Sequence, residues 1–393
     1  MTERVSLSEV AYLILPGQPL PFRVLDASGR LLLAQGHRIQ DVRQLEALLE
    51  RGASIEKDEV LEVSASRTAA ATGAELVPSQ HEPTWFDRFE RQTWALDDLV
   101  RALLEGERVV GEPGEGTTLV SQLEALADAF IERVERHPDA ALFLAVRQDE
   151  RRYALYALTH ALNAATVALL AARSLGWPMA QVRQAVLVAL TMNVAIVELQ
   201  GRMAEQKEPP SKVQIEQIRA HPHRSAELLA AAGVGDEVWL QAVRDHHERA
   251  VGGYPRGDGE PGELARLVRA ADVFTAKISP RALRAPVVPQ VAARQLFQEE
   301  GGGPLAGALI KAVGVYPPGD LVTLKNGEVG VVVARTAVAS APQVAVLFTA
   351  QGKPVAGAPR RDTNQPATAI AGPLADRSRF TRVLPEVVYG LLK

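Results

Sequence analysis

A long run of helical periodicity, from Thr118 to Val313, constrains the fold of this chain more than any other feature. Apolar residues recur at helical spacing throughout it. Its breaks carry helix stop and start signals, such as Gly176-Trp177-Pro178 and the Ser211-x-x-Gln214 capping box. The helical segments are 119–134, 140–175, 179–199, 213–231, 238–249, 264–276 and 288–298. The sequence therefore predicts a central all-α bundle over residues 118–314.

The N-terminal residues follow a different period. Phe22–Leu25 and Leu31–Ala34 read as strands on either side of Asp26–Gly29, a stretch with the residues of a hairpin turn. Val42–Leu49 then shows helical spacing. A small α+β module over residues 1–63 is the simplest interpretation.

Residues 64–117 connect this module to the bundle. The first part, 64–83, is rich in Ala, Ser, Thr, Gly and Pro, which is typical of a linker. An aromatic and aliphatic stripe at helical spacing follows, and such a stripe favours a docking or dimer helix over a cofactor site. Its members are Trp85, Phe86, Phe89, Trp94, Leu96, Leu99 and Leu103. We predict a linker followed by an amphipathic aromatic helix.

The period changes again after Tyr316-Pro317-Pro318-Gly319. Leu321–Leu324 and Val329–Ala334 read as strands joined by Asn326-Gly327, a strong hairpin signal, and Val344–Phe348 reads as a third strand. Residues 315–393 thus predict a small β-barrel-like module. The whole chain is predicted to be a multidomain α+β protein with its all-α bundle in the middle.

Composition narrows the class of function. Charged residues make up 23% of the chain and the formal net charge is −4, so no strongly basic face is expected and nucleic acid is not a predicted partner. The absence of cysteine excludes disulfides and thiolate ligands and fits a reducing compartment. Met1–Val10 shows no secretion signal. We expect a cytoplasmic protein.

One stretch must be weighed against a membrane span. Ala154–Ala172 is uncharged and long enough to cross a bilayer. However, alanine dominates it, it contains polar residues such as His160 and Asn163, and it lacks aromatic flanks. A buried helix is favoured, and a membrane helix is the alternative.

Histidines are concentrated in the helical region. Neutral imidazoles are good ligands for zinc, iron or manganese, so these side chains are candidates for a metal site. The alternative is that each is an isolated core or surface residue satisfied by hydrogen bonds. The five histidines are His160, His221, His223, His246 and His247.

The order of these residues resembles one family. The run from His246-His247-Glu248-Arg249 to Gly253-Tyr254-Pro255 resembles the signature of HD-GYP domains. Ala271-Asp272-Val273-Phe274, followed by Ser279, Arg281 and Arg284, matches the family's next block, and His221-Pro222 matches an upstream one. The resemblance covers roughly residues 150–313.

This resemblance implies an HD-GYP-like helical domain with a two- or three-metal centre that hydrolyses cyclic di-GMP. It places Arg281 and Arg284 against the phosphates of the dinucleotide; the alternative for Arg284 is that it caps or solvates a helix end. Tyr254 is a candidate ligand contact, and the alternative is that its loop presents a surface for a partner protein. Guanidinium groups suit phosphate because they form bidentate bonds that need no metal. The metal ligands that it implies are His160, His221, His246, His247 and Asp272.

The sequence departs from the family where the metal chemistry is concentrated. Met192 and Asn193 occupy the positions of the His-Asp pair, Ile196 that of a lysine, Tyr156 that of an acid before His160, and Thr275 that of an aspartate. A carboxylate that bridges two cations is what holds a two-metal centre together. Hydrolytic activity is therefore not expected.

Three hypotheses follow. The first is a catalytically degenerate HD-GYP-like signalling protein that binds other signalling proteins as a sensor or scaffold, retains cyclic di-GMP binding, and holds no cofactor or one divalent ion (Fe, Mn or Zn). The second is an active phosphodiesterase whose metal centre is rebuilt with His223 or Glu198. The third is a structural scaffold, a homodimer or larger platform, assembled through the aromatic helix and the terminal modules.

Overall fold

The structure is a computed structural model of the chain. It describes residues 4–7, 14, 19–26, 29, 31–39, 44, 48, 52–57, 59, 84–106, 118–148, 155–248, 261–353, 355, 358–374 and 385–389. These residues form a helical bundle with a small antiparallel sheet on either side of it in the sequence. The predicted mixed α and β architecture is confirmed.

The helices follow one another closely along the chain. They are α1 (Trp85–Glu105), α2 (Leu119–Arg136), α3 (Pro138–Val146), α4 (Tyr156–Ser174), α5 (Met179–Thr191), α6 (Val197–Glu205), α7 (Lys212–Ala231), α8 (Glu237–Asp245), α9 (Glu263–Ile278), α10 (Pro289–Glu299) and α11 (Pro304–Val313). A short 3-10 turn, Val194–Ile196, joins α5 to α6. The predicted capping box is present, since Ser211 and Gln214 bond reciprocally at the start of α7.

Helix α4 is the centre of the bundle, where α3, α5, α9 and α11 pack around it. Most of its side chains are buried, including His160 and Asn163. By length and apolarity, one helical stretch in the described part of the chain, Met179–Glu205, could cross a membrane, but 72% of its apolar window is buried inside the protein. The apolar stretch in α4 and the stretch Met179–Glu205 are therefore both buried as core helices are.

The N-terminal sheet has four short strands in the order β1 (Arg4–Ser6), β4 (Ser54–Glu56), β2 (Val24–Leu25) and β3 (Leu31–Leu33). The predicted hairpin is confirmed: β2 pairs antiparallel with β3, and the Gly29 N–H donates to Asp26 O at 2.9 Å. Gly29 has φ +88°, a conformation that glycine adopts without strain. Of the predicted helix 42–49, the structure describes Gln44 and Leu48, both helical.

The aromatic stripe of α1 is covered within the chain. All seven of its predicted members are at most 7% exposed. Phe89 packs on Phe130 of α2 with ring centroids 5.8 Å apart, and Trp85 Nε1–H donates to Arg133 O at 3.0 Å. The stripe therefore docks this helix within the chain, against α2, α4 and α7, and the expectation that it forms a dimer face is wrong.

The C-terminal sheet has five antiparallel strands in the order β8 (Arg360–Asp362), β7 (Gln343–Phe348), β6 (Val329–Ala334), β5 (Leu321–Leu324) and β9 (Ile370–Pro373). The Asn326-Gly327 turn is confirmed, with Gly327 N–H donating to Leu324 O at 2.9 Å. The barrel-like form is not confirmed. Among the described strands, β8 and β9 each pair on one side only, so the sheet is open.

The C-terminal sheet is held against the bundle at α3. Phe143 of α3 lies in one apolar cluster with Leu321 and Val331 of the sheet. Arg335 Nε donates to Asp139 Oδ1 at 2.5 Å. The last described helix, α12 (Pro385–Tyr389), adds a hydrogen bond from the Tyr389 hydroxyl to Val333 O at 2.6 Å. Sheet and bundle thus share both apolar and polar contacts.

Candidate metal site

Three histidines from two helices meet at one point in the bundle. His221 lies in the middle of α7, and His246 and His247 follow the last residue of α8. Their candidate ligand atoms all lie within 4.8 Å of one another, and this is the one such group found in the described ranges. We call it the histidine triad. The sequence prediction that these three side chains come together is confirmed.

Hydrogen bonds set the orientation of two of the imidazoles. His221 Nδ1 lies 2.6 Å from Ile218 O, and His246 Nδ1 lies 2.7 Å from Val243 O. A carbonyl oxygen only accepts, so each Nδ1 must carry the proton. In the neutral rings each Nε2 then presents a lone pair, and the two Nε2 atoms face each other at 3.1 Å.

Two facing lone pairs at this distance repel each other, and a positive charge between or beside them would remove the repulsion. A proton would require one ring to be an imidazolium, but burial lowers the pKa of His221 to about 4 and, with the charge of His247, lowers the pKa of His246 as well. Both rings are therefore neutral near pH 7, which is the form that binds metals. The triad fits one divalent cation.

His247 completes the triad from the next position in the chain. Its ring centroid lies 4.2 Å from that of His246 and 5.0 Å from that of His221. Burial lowers its pKa, although the charges of Asp272 and Glu248 act in the opposite direction. Glu248 is itself buried and was not among the predicted site residues. Its position directly after His247 was the sequence signal that could have identified it as a site residue.

His160 and Asp272 form a separate buried pair. His160 Nε2 lies 2.7 Å from Asp272 Oδ1, which links α4 to α9. Burial would raise the pKa of Asp272, but the hydrogen bond and charge of His160 and the nearby His247 and His246 outweigh it and lower that pKa. One Asp272 oxygen is thus committed to His160. His160 Nδ1 has no hydrogen-bond partner among the described residues.

The residues at the predicted His-Asp positions do not supply a charged ligand. Met192 is fully buried in the main apolar core. Asn193 is also buried, and it precedes the 3-10 turn, which packs against α7. The Ala195 N–H in that turn donates to Ser225 Oγ at 3.2 Å, one helical turn after His221. The neutral Asn193 therefore lies directly before a turn that contacts the helix of His221.

Tyr156 occupies the position of the expected acid, and it contacts His160 and Arg281. Its ring stacks on that of His160, with centroids 5.7 Å apart and planes 13° apart. Its hydroxyl accepts a hydrogen bond from Arg281 Nε at 2.9 Å. Thr275, where an aspartate was expected, is buried, and its Oγ1 has no partner in the part of the chain described.

Arg281 and Arg284 lie opposite each other on the turn after α9. Each backbone N–H donates to the other's carbonyl, at 3.3 and 3.1 Å. Arg284 Nη2 also donates to Ala276 O at 2.7 Å. Partial burial and the charge of Arg281 lower the pKa of Arg284. No carboxylate within the described ranges forms an ion pair with the guanidinium of Arg281 or Arg284. Tyr254, which was predicted to lie beside them, falls outside those ranges.

The two residues proposed to rebuild a metal centre do not reach the triad. His223 is exposed on α7. Glu198 is also exposed on α6, where it pairs with Arg202. Neither belongs to the group of converging ligand atoms. Within the described residues, the structure offers no replacement for the missing bridging carboxylate from these positions.

Comparison with known proteins agrees with the motif order. No family model matches the chain. A cyclic di-GMP phosphodiesterase of Pseudomonas aeruginosa is 30% identical to it over 234 residues, which is 58% of this chain and 56% of that protein. This chain is thus similar in sequence to a cyclic di-GMP phosphodiesterase. It matches only about half the length of this relative.

A solved structure was also found. An HDG"Y"P protein from Bdellovibrio bacteriovorus aligns over 79% of this chain and 99% of its own, with 14% sequence identity and a TM-score of 0.49. That likeness is too weak to support conclusions about the site. The resemblance to HD-GYP domains rests on the ordered motifs around the histidine triad and Asp272.

Proposed function

We propose that this chain is a catalytically degenerate HD-GYP-like signalling protein that holds at most one divalent ion and acts as a sensor or scaffold for other signalling proteins. The observation that carries the proposal is the buried His160–Asp272 pair. It commits a carboxylate oxygen that the family's metal centre would need, while the neutral Asn193 stands at the position of the family's aspartate. Three neutral imidazoles support one cation, not a bridged pair.

A single bound ion would still have a limited chemistry. A divalent cation polarises a bound water or phosphoryl oxygen. In this chain, the triad would hold that ion, while Arg281 donates to the hydroxyl of Tyr156, whose ring stacks on His160. We infer that such a site serves recognition or stability, because it lacks the second cation that neutralises developing charge on phosphorus.

Metal content and turnover test the proposal directly. Purified protein incubated with Mn²⁺, Fe²⁺ or Zn²⁺ and then desalted is expected to retain no more than one tightly bound ion per chain. It is expected to release no linear dinucleotide from cyclic di-GMP. His221→Ala is the matched control for metal specifically held by the triad. Two or more retained ions together with linear product would support the active-enzyme alternative and contradict the proposal.

Arg281 and Arg284 support retention of cyclic di-GMP binding. They are two cations close together without an acidic partner in the described residues, an arrangement that suits phosphate. The relative from Pseudomonas aeruginosa acts on cyclic di-GMP. We therefore extend the proposal to a sensor that binds this dinucleotide without hydrolysing it.

Calorimetry separates the sensor from a pure scaffold. Titration of cyclic di-GMP into the protein should give saturable heat, and Arg281→Ala should weaken binding by about 10-fold or more, as loss of a charge-assisted bond costs about 1.5–3 kcal/mol. Arg244→Ala, which removes an arginine on α8 that pairs with Glu237, is the control. Absence of heat at high ligand concentration would favour the scaffold.

A further inference from the structure

Helix α7 contains a proline in its interior, directly after a member of the histidine triad. Pro222 lies eleven residues into the helix Lys212–Ala231 and is buried. Proline has no N–H, so it cannot make the helical bond to the carbonyl four residues before it. For Pro222 that carbonyl belongs to Ile218. The Ile218 oxygen is thus left without its normal helical donor.

His221 uses this carbonyl. Its Nδ1 donates to Ile218 O at 2.6 Å, which fixes the proton on Nδ1 and leaves Nε2 with the lone pair that faces His246. The bond reaches back three residues along the helix, from the ring of residue 221 to the carbonyl of residue 218. The side chain has taken the place of the backbone donor that proline removed.

His246 repeats the arrangement by a different means. Its Nδ1 donates to Val243 O at 2.7 Å, again three residues back. Val243 lies in the last turn of α8, which ends at Asp245, and the last four carbonyls of a helix have no intrahelical partner. The end of α8 leaves Val243 O free for His246, and Pro222 leaves Ile218 O free for His221. The recurrence argues that a free carbonyl at this position serves the imidazole.

We propose that Pro222 is a positioning residue that sets the tautomer of His221 and so makes its Nε2 available as a ligand. The inference rests on the proposed metal site for its purpose, but the tautomer itself is a property of the metal-free protein. Partners that orient ligating histidines typically alter metal affinity by about 10–100-fold when they are lost. A purely structural proline would affect folding without changing which ring nitrogen carries the proton.

Pro222→Ala tests this assignment. The new N–H at position 222 would share Ile218 O with His221, which weakens the imidazole bond and lets the proton move to Nε2. Long-range ¹⁵N–¹H spectra of the metal-free protein at pH 7.5 should show His221 as the Nδ1–H tautomer in the parent and as a mixture in the variant. Zinc affinity, measured with a chromogenic competitor, should fall about 10-fold or more. His223→Ala, the exposed neighbour, should change neither reading.

Stability provides an independent check. Alanine favours the helix interior more than proline does, so Pro222→Ala should not lower the melting temperature, and weaker zinc binding could not then be attributed to misfolding. An unchanged His221 tautomer in the variant, or an Nε2–H tautomer in the parent protein, would overturn the proposal. A shifted tautomer with unchanged zinc affinity would also overturn it. If the parent binds no zinc, the proposed metal site fails, and the spectra alone still decide the role of Pro222 in fixing the tautomer.

Discussion

His160→Ala is expected to destabilise the fold by about 3–5 kcal/mol, the cost of leaving a buried charge without its partner. Asp272 is buried, and its lowered pKa keeps it ionised. The hydrogen bond with His160 therefore stabilises a buried charge. The pair also joins α4 to α9, two helices of the central core. Urea unfolding followed by circular dichroism measures the loss.

Removal of the charge of Asp272 should lower the free energy of unfolding less than removal of His160. Asp272→Asn keeps an oxygen that can accept from His160 and leaves no isolated charge, so we expect a loss of about 1 kcal/mol. This asymmetry distinguishes a structural pair from two metal ligands. If His160→Ala leaves metal-free stability unchanged but abolishes metal binding, His160 acts as a ligand, and the structural interpretation of the pair is wrong.

This pair also shows the limit of the sequence prediction. His160 and Asp272 were both identified as candidate ligands from their motif positions, but they are 112 residues apart and bond to each other. Which partner a buried imidazole selects depends on how α4 packs against α9, and no local pattern contains that information. The triad was easier to predict because the family order places its members together.

Local signals predicted the elements well and their surroundings less well. The capping box at Ser211 and the turns at Gly29 and Gly327 depend on a few adjacent residues, and each is present. The aromatic stripe of α1 correctly indicated an apolar face, but periodicity does not show whether that face is covered by another chain or by α2. Barrel closure likewise depends on whether β8 and β9 meet, which strand spacing alone does not determine.

Tyr156 illustrates how a substitution can change the partners of neighbouring residues. An acid at this position would have attracted a cation or a metal, whereas the tyrosine stacks on His160 and accepts a hydrogen bond from Arg281. The aromatic ring therefore connects the buried His160–Asp272 pair to the arginine turn. If the chain is the sensor that we propose, a ligand bound at Arg281 would act on α4 through this connection, without metal chemistry.

His246→Ala is expected to abolish most metal-dependent stabilisation. In the parent protein, zinc at 100 times its Kd should raise the free energy of unfolding by about 2.7 kcal/mol. If loss of one of three ligands weakens binding at least as much as loss of an orienting partner, about 100-fold, the same zinc concentration should stabilise the variant by only about 0.4 kcal/mol. The measurement is the shift in urea midpoint with and without zinc for each protein.

Comparing each protein with its own metal-free form removes the packing loss that alanine causes at this fully buried position. His223→Ala, on the exposed face of α7, should keep the full zinc-dependent shift. An equal shift in His246→Ala and the parent would place the zinc elsewhere. The metal site proposed for His221 and His246 would then be wrong, because the facing Nε2 atoms of these two rings would not be ligands of the bound zinc.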